Sequence, residues 1–309
     1  MRELTRNDFA DIFGVDQKSL SSETLKLIES LNFRYRTIQN DELETLLLTI
    51  LKRIDNDRQI VGAPERKKQW EDGWKENLIA FKESGFSENS LVPKFIRQGQ
   101  PLRLKQSYIF AEDPNFELNF IRVLRSWFAT TFFASVDNIY EFGCGTGFNL
   151  LAISDIFPDK NYFGSDFVSS SIDLVNSIGH EKSLNLVGEV FDMKSPNYNY
   201  KIGSNSAIFT FGSIEQLSGD IEPMFNYLLG QDAEICLHIE PVEELYDLNN
   251  LSDFLAFKFQ SKRKYTSGLL EKLEDLEKQG QIEILKIKRL FFGSLYMEGY
   301  NLLVWKKRN

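Results

Sequence analysis

The sequence predicts an α/β fold: a doubly wound, mostly parallel sheet with a C-terminal antiparallel hairpin, preceded by an all-helical N-terminal domain. From about residue 136, short apolar runs alternate with helical stretches, a pattern typical of a parallel sheet with helices on both faces. Near the end of the chain, two strand-like runs flank a Gly-containing loop, which indicates the hairpin. Residues 1–134 show no strand alternation, so we predict one domain over residues 1–134 and another over 135–309.

The helices of the first domain are predicted from local signals. Ser21 and Ser22 are candidate N-caps for "SSETLKLIESL", and "NDELETLLLTILKRI" carries apolar residues at helical spacing. Pro64 suits the first turn of the helix in "PERKKQWEDGWKENLIAF". Residues 89–114, with three prolines, predict a loop-rich connector, and a long helix follows Pro114.

In the second domain, five runs predict the parallel strands. They are "DNIYEF", "NYFGSD", "LNLVGEVFD", "SAIFTFG" and "AEICLHIE", and helical stretches such as "FNLLAISDIF" and "SSIDLVNSI" separate them. The hairpin is predicted within "QIEILKIKRLFFGSLYMEGYNLLVWKK".

Composition narrows the classes of function. The chain begins without an apolar signal segment and has no run of about eighteen apolar residues, so we expect a cytoplasmic protein with no membrane partner. Cys144 and Cys236 lie in apolar contexts, and the chain has only two histidines, so we expect neither a disulfide framework nor a metal site.

The net charge of −9 is uneven. Residues 1–134 hold 20 basic and 20 acidic residues, whereas residues 135–309 hold 16 and 25. No basic residue lies between Lys201 and Lys258, and a phosphate backbone would be repelled there. We therefore expect no nucleic-acid partner, although an ordinary acidic surface gives the same pattern.

The stretch "YEFGCGTGFNL" places three glycines at alternate positions after an acid and an apolar strand. Gly143, Gly145 and Gly147 free the backbone to turn sharply and to bring the amides of the next helix to a ligand. The dinucleotide fingerprint needs a glycine where Phe148 stands, and a P-loop needs Lys and Ser or Thr after Gly147, where Phe148 and Asn149 stand. Both of those assignments fail, and a glycine-rich turn without a ligand is the remaining structural alternative.

The pattern from Glu141 to Gly147, with Cys144 between its first two glycines, closely resembles motif I of the class I S-adenosylmethionine-dependent methyltransferases. The resemblance covers roughly residues 136–309 and implies a Rossmann-like methyltransferase fold. It also implies S-adenosylmethionine as the cofactor, S-adenosylhomocysteine as the product, and Glu141 as the carboxylate that attracts the cofactor ammonium. In this family an N-terminal extension often forms a lid over the site, and we expect residues 1–134 to do so.

Two further acids are expected at the cofactor. Asp166 ends the next predicted strand nineteen residues after Gly147, close to the spacing of about twenty expected for an acid that binds ribose hydroxyls. In the family, an acid after the third strand meets the adenine amino group between apolar neighbours, which points to Asp192; a surface turn is the alternative. The implied cofactor contacts on these segments and after the fourth strand are Phe167, Phe191, Asp192, Met193, Phe211 and Gly212.

Acceptor binding is expected beyond the carboxyl ends of the fourth and fifth strands. Glu240, at the end of the fifth strand, is the first candidate for acceptor binding or proton removal, and His238 on the same face is the second. A lone histidine on a buried strand is, alternatively, a satisfied core residue. Glu215 can line the pocket or stabilise the first turn of a helix.

The connector contributes positive charge: Lys94, Arg97, Arg103 and Lys105 occur without an acid between Glu88 and Glu112. If the first domain closes over the site, these four residues could meet a carboxylate of the cofactor or of the acceptor, and Tyr108 could pack on either. Arg103 and Tyr108 are the candidates for substrate binding. A solvated basic loop is the alternative.

The resemblance implies transfer of a methyl group to an N or O nucleophile of a small molecule. The acidic stretch favours an amine, guanidine or zwitterionic acceptor. A nucleic-acid methyltransferase, a non-catalytic S-adenosylmethionine-binding scaffold or regulatory protein, and transfer of another group from the same cofactor are the alternatives. The apolar helix face in "NDELETLLLTILKRI" fits either a homodimer contact or the core.

Overall fold

The computed structural model describes residues 1–308, and its elements follow in chain order. The helices are α1 Arg6–Phe13, α2 Ser22–Ser30, α3 Asn40–Asn56, α4 Arg66–Glu83, α5 Phe116–Phe132, α6 Phe148–Ser154, α7 Ser169–Glu181, α8 Glu222–Leu229, α9 Leu251–Arg263 and α10 Leu269–Lys278. The strands are β1 Arg2–Glu3, β2 Arg34–Thr37, β3 Leu102–Leu104, β4 Ser107–Ala111, β5 Asn138–Phe142, β6 Asn161–Asp166, β7 Leu186–Val190, β8 Ser206–Phe211, β9 Ile235–Glu240, β10 Ile282–Lys288, β11 Phe292–Gly293 and β12 Asn301–Lys307.

A seven-stranded sheet with the order β10-β12-β9-β8-β5-β6-β7 forms the centre of the second part of the chain. Strands β5 to β9 are parallel, and β12 runs antiparallel to both β9 and β10. All five runs predicted as parallel strands form them, so the predicted doubly wound sheet and its C-terminal hairpin are confirmed. The strand order reverses direction between β5 and β8, and ligands of such sheets bind at that point, beyond the carboxyl ends of the strands.

The expectation of an all-helical N-terminal part needs a correction. It is mostly helical, but β1 to β4 form a second, antiparallel sheet with β11 in the order β1-β2-β4-β3-β11. These strands are only two to five residues long, too short for an alternating pattern to stand out. Lys105 and Gln106, both at positive φ, make the tight turn from β3 to β4 without the glycine or asparagine typical of such hairpins.

A continuous hydrophobic core joins the two parts of the chain. Helix α5 is buried along most of its length, and its Phe128 packs on Phe209 of β8, with ring centroids 6.0 Å apart. On another face of α5, Trp127 stacks on Phe13 of α1 at 4.3 Å. The core thus holds the N-terminal helices against the central sheet, and the domain boundary at residue 134 remains a prediction.

Within residues 1–308, no helix is both long enough and apolar enough to span a lipid bilayer.

Candidate cofactor and acceptor site

A cavity of about 360 Å³ lies at the carboxyl ends of β5 to β8, where the strand order reverses. Eleven of the twelve residues predicted to contact the cofactor line it: Glu141, Gly143, Cys144, Gly145, Asp166, Phe167, Phe191, Asp192, Met193, Phe211 and Gly212. The exception is Gly147, which is the N-cap residue of α6 and packs against Val175 and Ile178 of α7. The site therefore brings together residues from four segments that lie far apart in the sequence.

The glycine loop makes the floor of the cavity. The backbone amides of Gly143 and Cys144 both donate to the carbonyl of Ser165, at 2.7 and 3.0 Å, which folds the loop back over β6. Gly143 has φ of +73°, and a Cβ there would lie 2.3 Å from Cβ of Ser213. Only glycine fits this crossing of the β5 and β8 loops, which is the physical reason for glycine at this position.

Glu141, the next-to-last residue of β5, lines the cavity and is 1% exposed. Its Oε1 accepts a hydrogen bond from Asn149 Nδ2 at 2.7 Å, whereas Oε2 is buried and has no hydrogen-bond partner within residues 1–308. Burial raises the pKa of this carboxyl to about 8. An unpaired buried carboxylate oxygen is costly, and an ammonium donor in the cavity would satisfy it.

Asp166, at the end of β6, lies beside the glycine loop. One oxygen accepts from the amide of Gly145 at 3.0 Å, and the other accepts from the amide of Val168 at 3.2 Å. Burial raises its pKa to about 6, and the two amides act in the opposite direction. The carboxyl thus fixes the loop while facing the cavity, and it retains lone pairs for further donors.

Phe167, Phe191 and Met193 supply apolar surface at the β6 and β7 end of the cavity. Asp192 lies between the last two, and its Oδ1 accepts from the amide of Lys194 at 2.9 Å. The carboxyl of Asp192 therefore stabilises a surface turn, which was the alternative to a cofactor contact, and the residue also lines the cavity.

The predicted catalytic role of Glu240 is corrected by its surroundings. Glu240 is 0% exposed and does not line the cavity. Its carboxyl accepts from the amides of Ser213, Ile214 and Glu215 at 3.0, 3.1 and 3.3 Å. Glu240 therefore holds the loop after β8 in place. Its carboxyl is bound by three backbone amides of that loop and does not reach the cavity.

His238 and Glu215 also do not line the cavity. The ring of His238 is 0% exposed, and its two nitrogens bond to Thr210 Oγ1 and Trp305 Nε1, both at 2.9 Å. His238 is therefore a buried core residue with satisfied hydrogen bonds, which was the alternative to a catalytic role. Glu215 lies in the turn after β8, where its carboxyl accepts from Gln216 Nε2 at 2.7 Å. Burial, and then the neighbouring Glu240, raise the pKa of Glu215 to about 8.

Arg103 and Tyr108 are not at the site either, which corrects their predicted role in substrate binding. Arg103 is 1% exposed and bonds to Asp253 at 2.8 Å and to the carbonyl of Ser252. Tyr108 is buried beside α3 and α9. The prediction assumed an exposed loop. Arg103 and Tyr108 instead lie on the short strands β3 and β4 of the N-terminal sheet, and both side chains are buried.

Helix α4 supplies the part of the site that the sequence did not assign. The N-terminal lining residues are Gly62, Ala63, Pro64, Arg66, Lys67, Trp70, Trp74, Pro93, Phe95, Ile96 and Ile121. Trp70 and Trp74 stack with centroids 5.3 Å apart, and Trp74 lies against Gly145. The sequence signal for this part of the site was a pair of tryptophans four residues apart in an otherwise charged helix. Residues at this spacing lie on one face of a helix, and two large apolar side chains there indicate that the face is covered.

Hydrogen bonds hold α4 across the mouth of the cavity. Glu71 accepts from Ser169 Oγ and from the amide of Ser170, both at 3.1 Å, and its carbonyl accepts from Ser170 Oγ at 2.8 Å. Residues 62–74 thus cover the site, and a lid formed by residues 1–134 as a domain remains a prediction. Other lining residues from the second part are Thr146, Phe148, Asn149, Lys194, Ser213, Gln216 and Leu217.

The raised pKa of Glu141 predicts a pH-dependent stability. The folded carboxyl holds its proton to about pH 8, above its ordinary value of 4.5, so its contribution is full in acid and is lost as pH rises through 8. Urea unfolding of the ligand-free protein at about pH 5.5 and 7.5 should show a loss of roughly 2 kcal/mol from this group. The Glu141→Gln variant should not show this part of the loss in its free energy of unfolding. The same pH dependence of unfolding in the parent protein and the variant would contradict the raised pKa of Glu141.

Comparisons with known proteins give structural resemblance only. No protein-family model and no curated protein matches the sequence. The 16S rRNA methylase ArmA is 14% identical over 76% of this chain and 98% of its own, with a TM-score of 0.46. The geranyl diphosphate C-methyltransferase from Streptomyces coelicolor A3(2) is 12% identical over 64% of this chain and 85% of its own, with a TM-score of 0.45. The fold assignment accordingly rests on the strand order and register of this chain.

Proposed function

We propose that this protein binds S-adenosylmethionine in the cavity and transfers its methyl group to an N or O nucleophile of a small molecule. The observation that carries the proposal is the buried, unpaired Oε2 of Glu141 in the same cavity as Asp166 and the glycine loop. The residues fit the cofactor: Glu141 would accept from its ammonium, Asp166 from ribose hydroxyls and Asp192 from the adenine amino group. Phe167, Phe191 and Met193 would pack on the adenine ring.

When bound there, S-adenosylmethionine supplies a sulfonium methyl group, which an acceptor N or O takes as the carbon–sulfur bond breaks and its electron pair stays on sulfur. The chain itself orients the two reactants and excludes water, the main requirements of an in-line displacement. Glu240, His238 and Glu215 lie outside the cavity, so we assign no general base to them. The proton of the acceptor leaves to solvent or before binding.

Calorimetric titration with S-adenosylmethionine and with S-adenosylhomocysteine tests the proposal. We expect micromolar dissociation constants for both, and Asp166→Asn should weaken each about tenfold, which is about 1.4 kcal/mol. Asparagine keeps one acceptor for the loop amides but removes the charge and one ribose acceptor. Asp173→Asn, an exposed position on α7, is the matched control and should bind as the parent does.

Thermal melting of both variants separates loss of the site from loss of the fold. No binding of either compound by a folded parent protein would refute the proposed cofactor. Binding without transfer of a radiolabelled methyl group to any acceptor would instead favour the non-catalytic scaffold.

A further inference from the structure

The charge around the cavity differs from the charge of the domain as a whole. The acidic residues between Lys201 and Lys258, which favoured an amine or guanidine acceptor, do not line the cavity. Some are buried in other contacts, as Glu240 is, and others are on the outer surface, such as Asp220 and Glu222. The physical basis for a cationic acceptor is therefore absent from the site.

The cavity instead carries three cationic side chains: Arg66 and Lys67 on α4, and Lys194 after β7. None of the three forms a salt bridge with any residue of 1–308. Nε of Arg66 is buried without a hydrogen-bond partner in the same range, and its Nη2 makes only a long contact of 3.5 Å to Gln216. A buried unpaired guanidinium nitrogen indicates a missing acceptor.

Glu215 forms no salt bridge with Arg66 within residues 1–308. The charge of Arg66 lowers the pKa of Glu215, but burial and the neighbouring Glu240 raise it by more, and the carboxyl is directed to Gln216. The three acids that line the cavity are Glu141, Asp166 and Asp192, each with a role in the proposed cofactor site.

The carboxylate of the cofactor is one anion for three cations. That group is two bonds from the ammonium, which the proposal places at Glu141 on β5. Nζ of Lys194 lies beside Gly62 and the carbonyl of Gln216, in the loop after β8, and Nη2 of Arg66 contacts Gln216 as well. Nζ of Lys67 is 5.9 Å from the ring centroid of Phe167. One carboxylate cannot balance three positive charges, so a second anion is required.

Aromatic surface accompanies these cations. Trp70 and Trp74 stack on each other, the guanidinium of Arg66 lies 5.2 Å from the Trp70 ring, and Phe95 lines the cavity while 56% exposed. A flat ring can enter between such side chains at low entropic cost, because their own rotamers are already restricted by stacking.

We infer that the acceptor is a small aromatic anion, whose ring packs on Trp70 and Phe95 and whose carboxylate or phosphate pairs with Arg66, Lys67 and Lys194. The inference rests on the proposed function, because it assigns the acids of the cavity to the cofactor. It names the acceptor class and replaces the amine or guanidine expected from the acidic sequence.

Three phenols that share a ring and differ in charge test the inference. The protein is saturated with S-adenosylhomocysteine and titrated with 4-hydroxyphenylacetate, its uncharged amide, and tyramine, by calorimetry and by tryptophan fluorescence. We expect the carboxylate to bind at least about tenfold more tightly than the other two. Phenyl phosphate, titrated in parallel, shows which of the two anionic groups the cations prefer.

Arg66→Gln should reduce the preference for the anion over the amide to less than about threefold. Lys68→Gln is the matched control, because Lys68 is on the same helix, is 82% exposed and pairs with Asp72 outside the cavity. Equal binding of the three phenols, tighter binding of tyramine, or binding of none would overturn the inference. Because S-adenosylhomocysteine is titrated first, failure at that step refutes the proposed function, whereas failure at the second step refutes only the acceptor class.

Discussion

Gly143→Ala is expected to destabilise the protein by about 3–5 kcal/mol and to abolish measurable binding of S-adenosylhomocysteine. The left-handed φ of +73° costs an alanine about 1–2 kcal/mol by itself. The larger part comes from the clash of the new Cβ with Cβ of Ser213 at 2.3 Å. Ser213 cannot move aside freely, since its hydroxyl donates to the carbonyl of Phe142 at 2.9 Å and its amide to Glu240. Urea unfolding and calorimetry measure the two effects.

Gly280→Ala is the matched control for backbone strain alone. Gly280 has φ of +75°, nearly the same as Gly143, but a Cβ there would meet no atom within 4 Å. We expect a cost of only about 1–2 kcal/mol and unchanged ligand binding. Equal losses in the two variants would show that the crossing of the β5 and β8 loops is not tightly packed.

Arg103→Met is expected to lower the free energy of unfolding by about 3–5 kcal/mol. Arg103 and Arg289 share two carboxylates, those of Asp253 and Glu298, and both acids are 0% exposed. Removing one guanidinium leaves two buried carboxylates with a single cation, and methionine fills a similar volume without replacing the charge. Denaturant unfolding at neutral pH measures the loss.

Arg34→Met is the corresponding surface control. Arg34 pairs with Glu112 at 3.2 Å, but the two side chains are 50% and 40% exposed. Water already solvates both groups there, so we expect a change of at most about 1 kcal/mol. A loss from Arg103→Met as small as that from Arg34→Met would mean that Arg289 alone neutralises the buried acids.

The sequence was most informative where a side chain's position depends on its immediate neighbours. Glu141 and Asp166 both lie at the carboxyl ends of strands of a parallel sheet, and parallel strands bring those ends to one edge. The glycines between them allow the sharp turn that follows β5. Their convergence in the cavity thus followed from the strand pattern.

The sequence was less informative where tertiary packing decides. Whether Glu240 faces the cavity or the amides of Ser213, Ile214 and Glu215 depends on the path of the loop after β8, which no local signal gives. Arg103 belongs to a strand of only three residues, and its partner Asp253 lies 150 positions further along the chain. Helix α4 was correctly predicted as a helix, but its place over the sheet depends on Glu71 meeting Ser169 and Ser170.

The pairing of β11 with β3 has a consequence for the order in which the protein forms during synthesis. Phe292 pairs with Leu104, so the last strand of the N-terminal sheet emerges from the ribosome long after the other four. Until then, β3 has an unpaired edge, and unpaired edges invite association with other chains. The five-stranded N-terminal sheet is therefore complete only after residues 292–293 have been made.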